Sequence, residues 1–105
     1  MYEISFSFTK KGDMKFISHL DLLRLLQRAL RRSGLPLKMT EGFSPHPKLS
    51  IARALKLGLE SDNEDAKAVL KETIDILQAQ KLLNAQLPAG IKIVSIRGEQ
   101  KHKNA

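Results

Sequence analysis

Residues 2–9 alternate strictly between apolar and polar side chains, which restricts this segment to a β-strand with one buried and one open face. The apolar set is Tyr2, Ile4, Phe6 and Phe8. Residues 10–13 predict a turn, after which Met14 and Phe16 briefly resume the alternation as an edge or bulge. A strand of this kind requires a second apolar layer against its buried face.

The next segment predicts a helix from about residue 19 to residue 33. Ser18 and Asp21 match a capping box at its start, and Gly34 and Pro36 prevent its continuation. The apolar stripe of this helix consists of Leu22, Leu23, Leu26, Ala29 and Leu30.

A second helix is predicted after Asp75, which together with Gln78 resembles a helix cap. Its apolar face comprises Ile76, Ala79, Leu83 and Leu87. The segment 88–90, which reads Pro-Ala-Gly, predicts its end.

The remaining segments predict three further strands. A loop with Gly and Pro leads into a largely apolar stretch at residues 49–59, and residues 61–65 read as a polar, acidic connection. Residues 66–74 fit either a helix or a strand that pairs back on the preceding one, and we favour the strand. Residues 91–96 predict the last strand.

The predicted order is therefore β-α-β-β-α-β, an α+β fold of the ferredoxin-like type. In that arrangement two helices cover one face of a four-stranded antiparallel sheet and leave the other open. We expect one domain over residues 1–98 and a flexible polar tail over 99–105. Many RNA-binding domains use this fold, although the fold alone does not define a function.

Positive charge is concentrated in the first half of the chain. Residues 1–56 carry 11 Lys and Arg against 4 Asp and Glu, whereas residues 57–105 carry 7 of each. The whole excess of +7 therefore lies before residue 57. A surface with this charge attracts polyanions such as RNA through counterion release, and the alternative use of the charge is solubility.

The composition also excludes several classes of function. Because the sequence has no Cys, it has no disulfides, no thiolate nucleophile and no cysteine-held iron–sulfur or zinc site. We expect a cytoplasmic protein without a membrane role, since no signal-peptide pattern and no apolar run of roughly 20 residues occurs. The spacings of nucleotide-hydrolysing, dinucleotide-binding and zincin sites are missing as well.

Four arginines lie opposite the leucine stripe of the first helix. Arg24, Arg28 and Arg31 share one surface, and Arg32 lies beside it. Guanidinium groups stay charged and bind phosphate in a bidentate manner, so this face is the first candidate for nucleic-acid contacts. The alternative is an ordinary solvated helix face, in which the helix dipole favours cations near the C-terminus.

Residues 42–48 form a second candidate site, because two prolines bracket His46 and restrict the backbone on both sides of it. A rigid loop would present Ser44, His46 and Lys48 to a phosphate or a base. The alternative is a stiff turn whose histidine is incidental.

His19, Asp21 and His46 are candidate catalytic residues if the fold brings them together, and two histidines with a carboxylate suit iron or zinc. Convergence requires residues 37–41 to form the second strand. If the second strand lies within 49–60 instead, the proline loop lies near Gly34 at the other end of the helix. The residues leave both topologies open, and no metal or cofactor is assigned.

Three spaced segments resemble the hallmark motifs of the radical SAM-linked protein family: residues 16–24, 28–36 and 42–47. The matching residues are Ser18, His19, Asp21, Arg24, Gly42, Phe43, Pro45, His46 and Pro47. The resemblance, strongest over residues 3–60, implies a protein encoded beside or fused to a radical SAM protein, with no established activity of its own.

The resemblance agrees with the absence of cysteine, because a partner would have to supply the cluster. We therefore expect an accessory domain that binds RNA, such as tRNA, for a radical SAM enzyme that modifies it. The alternatives are a metal- or histidine-assisted RNA-processing enzyme and a protein-interaction subunit that docks on the radical SAM partner.

Overall fold

The computed structural model describes residues 1–54 and 57–101. Within them, one antiparallel sheet has the strand order β2-β3-β1-β4, and two helices cover one face of it. The elements are β1 (Tyr2–Lys10), α1 (His19–Ser33), β2 (Leu49–Ile51), β3 (Ser61–Leu70), α2 (Ile76–Asn84) and β4 (Ile93–Gln100). The β-α-β-β-α-β order and the antiparallel sheet confirm the predicted ferredoxin-like α+β fold.

β1 is a central strand, and its alternation is confirmed along its whole length. Tyr2, Ile4, Phe6 and Phe8 are buried against the helices, while the intervening residues are only partly covered. The strand pairs with β3 on one side and β4 on the other, so that Ser5 lies opposite both Lys67 and Arg97. The apolar face of this one strand thus organises the core.

α1 has the predicted limits. The Ser18 side chain accepts a hydrogen bond of 3.1 Å from the Asp21 backbone N–H, and Gly34 ends the helix in the left-handed conformation, with φ of 83°. Its buried residues are Leu22, Leu26, Ala29, Leu30 and Ser33. The opposite face of α1 is left to solvent, since Arg24, Arg28, Arg31 and Arg32 are all exposed.

α2 begins as predicted, with the Asp75 carboxylate accepting from the Leu77 N–H at 3.0 Å, but it ends at Asn84 and not at residues 88–90. The Asn84 side-chain amide accepts from the Ile93 N–H at 2.8 Å and donates to the Ile93 carbonyl at 3.2 Å. This amide therefore anchors the helix end to the start of β4, and Leu87 packs on the core from the connection that follows.

Two strand predictions need correction. Residues 12–16 form a short 3-10 helix, because Gly12 adopts φ of 60° and the Met14 N–H returns to the Lys11 carbonyl at 3.1 Å. The apolar stretch 49–59 contributes only β2, and the exposed Leu57 and Leu59 lie in a loop beyond it. Residues 55 and 56 of that stretch lie outside the described residues.

The predicted polar connection at 61–65 is in fact the first half of β3, where Glu64 pairs with Phe8 and Ser61 with Lys10. Residues 66–70 confirm the strand that we favoured for the second half, whereas 71–74 lie beyond it. β4 includes Glu99 and Gln100, which we had assigned to the tail. The final residues of the predicted tail, 102–105, lie outside the described residues.

Neither helix of the described residues is long and apolar enough to cross a membrane.

Candidate nucleic-acid interface

The candidate interface is built on α1. Arg24, Arg28, Arg31 and Arg32, here called the arginine face, are exposed along the outer side of this helix. Arg24 lies 3.9 Å from Asp21, an exposed pair one turn apart. Within the described residues the other three arginines have no ion pair, so their charges are available to an external anion.

The proline loop, residues 42–48, lies beside the C-terminal end of the arginine face. The Arg31 guanidinium donates a hydrogen bond of 3.0 Å from Nη2 to the Pro45 carbonyl oxygen. Ser44, His46 and Lys48 are exposed on this loop, whereas Pro47 is buried and anchors it. The two segments that we singled out separately are therefore parts of one surface.

The position of the loop answers the question of topology left open by the sequence. β2 lies within residues 49–60, and residues 37–41 contribute isolated bridges, from Leu37 to Leu70 and from Met39 to Pro47. The loop consequently contacts the end of α1 near Gly34.

His19 and Asp21 are at the opposite end of that helix. His19 precedes Arg31 by 12 residues, which is about 18 Å along the helix axis. Across residues 1–54 and 57–101, no group of three His, Asp or Glu side chains is arranged to hold a metal ion. The structure thus places His46 with the arginine face and apart from His19 and Asp21.

Hydrogen bonds fix the conformation of the proline loop. The Thr40 N–H donates to the His46 carbonyl at 2.7 Å, and the His46 N–H donates to Thr40 Oγ1 at 3.1 Å. Two residues further from the loop on each side, the Lys48 N–H donates to the Lys38 carbonyl at 3.0 Å. These contacts close residues 41–45 into a short loop.

The imidazole ring of His46 is held through Nδ1, which lies 3.1 Å from the Ser44 carbonyl oxygen and 3.3 Å from Thr40 Oγ1. With hydrogen on Nδ1 the ring donates to the carbonyl, and with hydrogen on Nε2 the Nδ1 atom accepts from the threonine hydroxyl. In both tautomers Nε2 has no hydrogen-bond partner within the described residues, so it is open to a ligand.

Phe43 is an aromatic residue of this surface that is not among the nucleic-acid-binding residues predicted from the sequence. Its side chain is fully exposed, with a relative exposure of 108%. Because aromatic residues are usually buried, residue type alone does not separate Phe43 from core residues. The signal available was its position between Gly42 and Ser44 in a loop that contains two prolines.

A second polar cluster, also missed from sequence, lies between the chain after β2 and the start of β3. The buried Glu64 carboxylate accepts from Arg53 Nε at 3.1 Å and from Nη2 at 2.9 Å, and Ser61 Oγ donates to it as well. The Arg53 hydrogen bonds hold the pKa of Glu64 below its usual value, against the opposing effect of burial. Buried Lys10 adds a weaker favourable charge.

This cluster has a structural role, because it satisfies a buried carboxylate and ties the chain after β2 to the start of β3. Its charges are already paired with one another. The arginine face with the proline loop therefore remains the better candidate for a ligand site.

Fold and surface together define a class of protein: a basic ferredoxin-like α+β domain that presents cations and one aromatic ring beside an outer helix. The chain belongs to a bacterial family whose model matches residues 3–105 and is described as "Uncharacterized protein conserved in bacteria (DUF2344)". No curated protein matches the chain.

Proposed function

We propose that this protein is an RNA-binding accessory domain, in which the arginine face contacts phosphates and the proline loop contacts the nucleotide to be modified. The observation that supports it most directly is the joining of these two surfaces through Arg31 and Pro45. Phosphate contacts position a nucleic acid, while groups that reach bases distinguish its sequence or structure. The surface contains both kinds of group.

Charge placement also favours a polyanion. Four exposed arginines on one helix, with Asp21 as the acid in its first turn, repel one another and slightly destabilise the helix. Phosphate groups would relieve that repulsion through charge-assisted hydrogen bonds. Glu41 is an exposed acid beside the loop, and it would disfavour phosphate close to its own carboxylate.

As part of the proposal, the catalytic partner is a radical SAM enzyme and the substrate is an RNA such as tRNA. Support for this comes from the resemblance of residues 16–24, 28–36 and 42–47 to the radical SAM-linked family. The chain has no Cys with which to hold a cluster, so the radical chemistry would belong to the partner.

The test is binding of purified protein to labelled tRNA and to an unrelated RNA over a salt series. The variant R24A/R28A removes two adjacent charges without touching the Arg31–Pro45 hydrogen bond. Each lost phosphate contact should reduce the slope of log K against log salt by about 0.7 to 0.9, so we expect a reduction of roughly 1.4 to 1.8.

The matched control is K81A/K92A, which removes the same charge from α2 and from the connection before β4. α2 packs on β4 and α1 on β2, so these lysines lie toward the opposite edge of the sheet. An equal loss of affinity in both double variants would show that total charge, and not the arginine face, drives binding.

A second candidate function is docking on a protein partner, which four exposed apolar side chains favour. Phe16, Leu20, Leu57 and Leu59 are each more than half exposed. The Gly58 N–H donates to the Lys15 carbonyl at 2.6 Å, which places the loop of Leu57 and Leu59 beside the 3-10 helix. Co-purification with the radical SAM partner that survives nuclease treatment and is lost in L57S/L59S would support this function.

A further inference from the structure

Phe43 is the middle residue of the loop 41–45, and its side chain is fully exposed to solvent. Pro47, which follows this loop, is buried. Exposing an aromatic ring forgoes the burial that stabilises most phenylalanines. A single exposed apolar side chain is common on protein surfaces, so the case for a ligand depends on the loop and the groups around Phe43.

The loop that carries Phe43 is held in place from both sides. Thr40 and His46 form paired hydrogen bonds at its base, and Arg31 holds the Pro45 carbonyl from α1. Pro45 and Pro47 restrict the backbone further. A ring presented by a fixed loop loses little conformational entropy on binding, which favours specific stacking.

The neighbours of Phe43 determine which ligand would cover it. Arg31 and Lys48 supply cations, and His46 supplies a second exposed ring. Proteins bind single-stranded nucleic acids with this combination, because cations follow the phosphates while unpaired bases stack on aromatic rings. Bases inside a duplex are already stacked and offer no face to such a ring.

Resting on the function proposed above, we infer that the site binds unpaired RNA nucleotides: Phe43 stacks on one exposed base while the arginine face holds the neighbouring phosphates. The preferred substrate class is therefore a loop, a bulge or a single-stranded end, and not a continuous helix.

The experiment compares a single-stranded RNA with a blunt-ended duplex stem that has no loop and carries the same number of phosphates. Replacing Phe43 by Ala should lower affinity for the single strand by roughly 5- to 150-fold, since one stacked base is lost. The salt dependence should stay unchanged, because no phosphate contact is removed. Binding to the stem should be unaffected, and F43W should retain affinity for the single strand.

F43W also gives a direct readout, because the sequence has no other Trp. Stacking on a base should quench its fluorescence with the single-stranded RNA and leave it unchanged with the stem. Circular dichroism of F43A checks that the fold persists, as expected for a fully exposed residue.

The outcomes separate this inference from the proposed function. If R24A/R28A weakens binding but F43A does not, the RNA-binding function holds and the stacking inference is wrong. If F43A weakens binding to strand and stem equally, selectivity for unpaired bases is wrong. If F43A affects only co-purification with a protein partner, Phe43 docks on protein. Absence of RNA binding at low salt overturns both proposals.

Discussion

Arg31 of α1 and Pro45 of the proline loop are joined by a hydrogen bond of 3.0 Å, a side-chain contact that links the helix to the loop. A charged donor to a carbonyl oxygen is stronger than a neutral one, although solvent exposure weakens it here. The conformation of the proline loop therefore depends on a residue that the sequence marks only as one cation among four.

Replacing Arg31 by Ala should loosen the loop without unfolding the domain. We expect amide hydrogen exchange at Thr40 and His46, whose N–H groups close the loop, to accelerate by about 5-fold, corresponding to roughly 1 kcal/mol. Hydrogen exchange followed by NMR measures this. Arg28→Ala is the matched control, since it removes the same charge from the same helix face and should leave both amides unchanged.

Glu64 should make stability depend on pH. Arg53 and Ser61 lower the pKa of Glu64 in the folded protein. The carboxylate therefore contributes fully to the free energy of unfolding at a pH above its unfolded pKa of about 4.5. As the pH falls through the folded pKa the carboxylate is protonated in both states, and the contribution is lost.

Replacing Glu64 by Gln should therefore cost about 1–3 kcal/mol near pH 7, because charged hydrogen bonds are lost and buried Lys10 loses a favourable charge. Urea unfolding at pH 7 and pH 3 measures the difference. We expect the difference in free energy of unfolding between the variant and the unsubstituted protein to be smaller at pH 3 than at pH 7. An equal difference at both pH values would show that the shape of the side chain, and not its charge, is responsible. Asp62→Asn, at an exposed ion pair with Lys11, is the control.

The contrast between Glu64 and β1 explains which parts of the fold were predictable. β1 is predicted by the alternation of its own residues, and α1 by its helical periodicity and capping residues. The local sequence is therefore enough to predict both elements. The acidic start of β3 contradicts its local pattern, since a buried glutamate in a strand requires a partner distant in sequence. Arg53 is that partner, 11 residues away, and only the folded chain brings the two together.

The candidate site was predictable to a similar extent. Its arginines follow from helical spacing, and the stiffness of the proline loop follows from Pro45 and Pro47. The position of the proline loop could not be predicted in this way, because it depends on which short segment pairs with β3. That segment, β2, has only three residues, which is too short for a clear alternating pattern. The exposure of Phe43 could not be predicted from its residue type, because phenylalanine is usually buried.

Gly34 is required by the backbone at the end of α1. Its φ of 83° lies in the left-handed region, and an added Cβ would meet no atom within 4 Å. Gly34→Ala should thus cost about 1–2 kcal/mol through conformation alone. Asn tolerates this conformation better, so Gly34→Asn should recover part of the loss in thermal unfolding. Equal melting temperatures for the Ala and Asn variants would contradict this explanation.

Gly98 is required for a different reason, which is the ring of Tyr2 on the neighbouring strand. A Cβ at Gly98 would overlap Cζ, Cε2 and Oη of the buried Tyr2 side chain. Gly98 pairs with Ile4 in β1, so the ring of Tyr2 occupies the space that a side chain on β4 would need. Gly98→Ala should therefore cost about 1–3 kcal/mol by overpacking.

A double-mutant cycle with Tyr2→Ala tests this explanation. Tyr2→Ala destabilises the protein by itself, because it removes a buried ring, but it also opens the space beside Gly98. In that background Gly98→Ala should cost less than about 0.5 kcal/mol, which gives a large interaction energy between the two positions in urea unfolding. Additive costs would mean that the backbone of β4, and not the ring of Tyr2, excludes a side chain at residue 98.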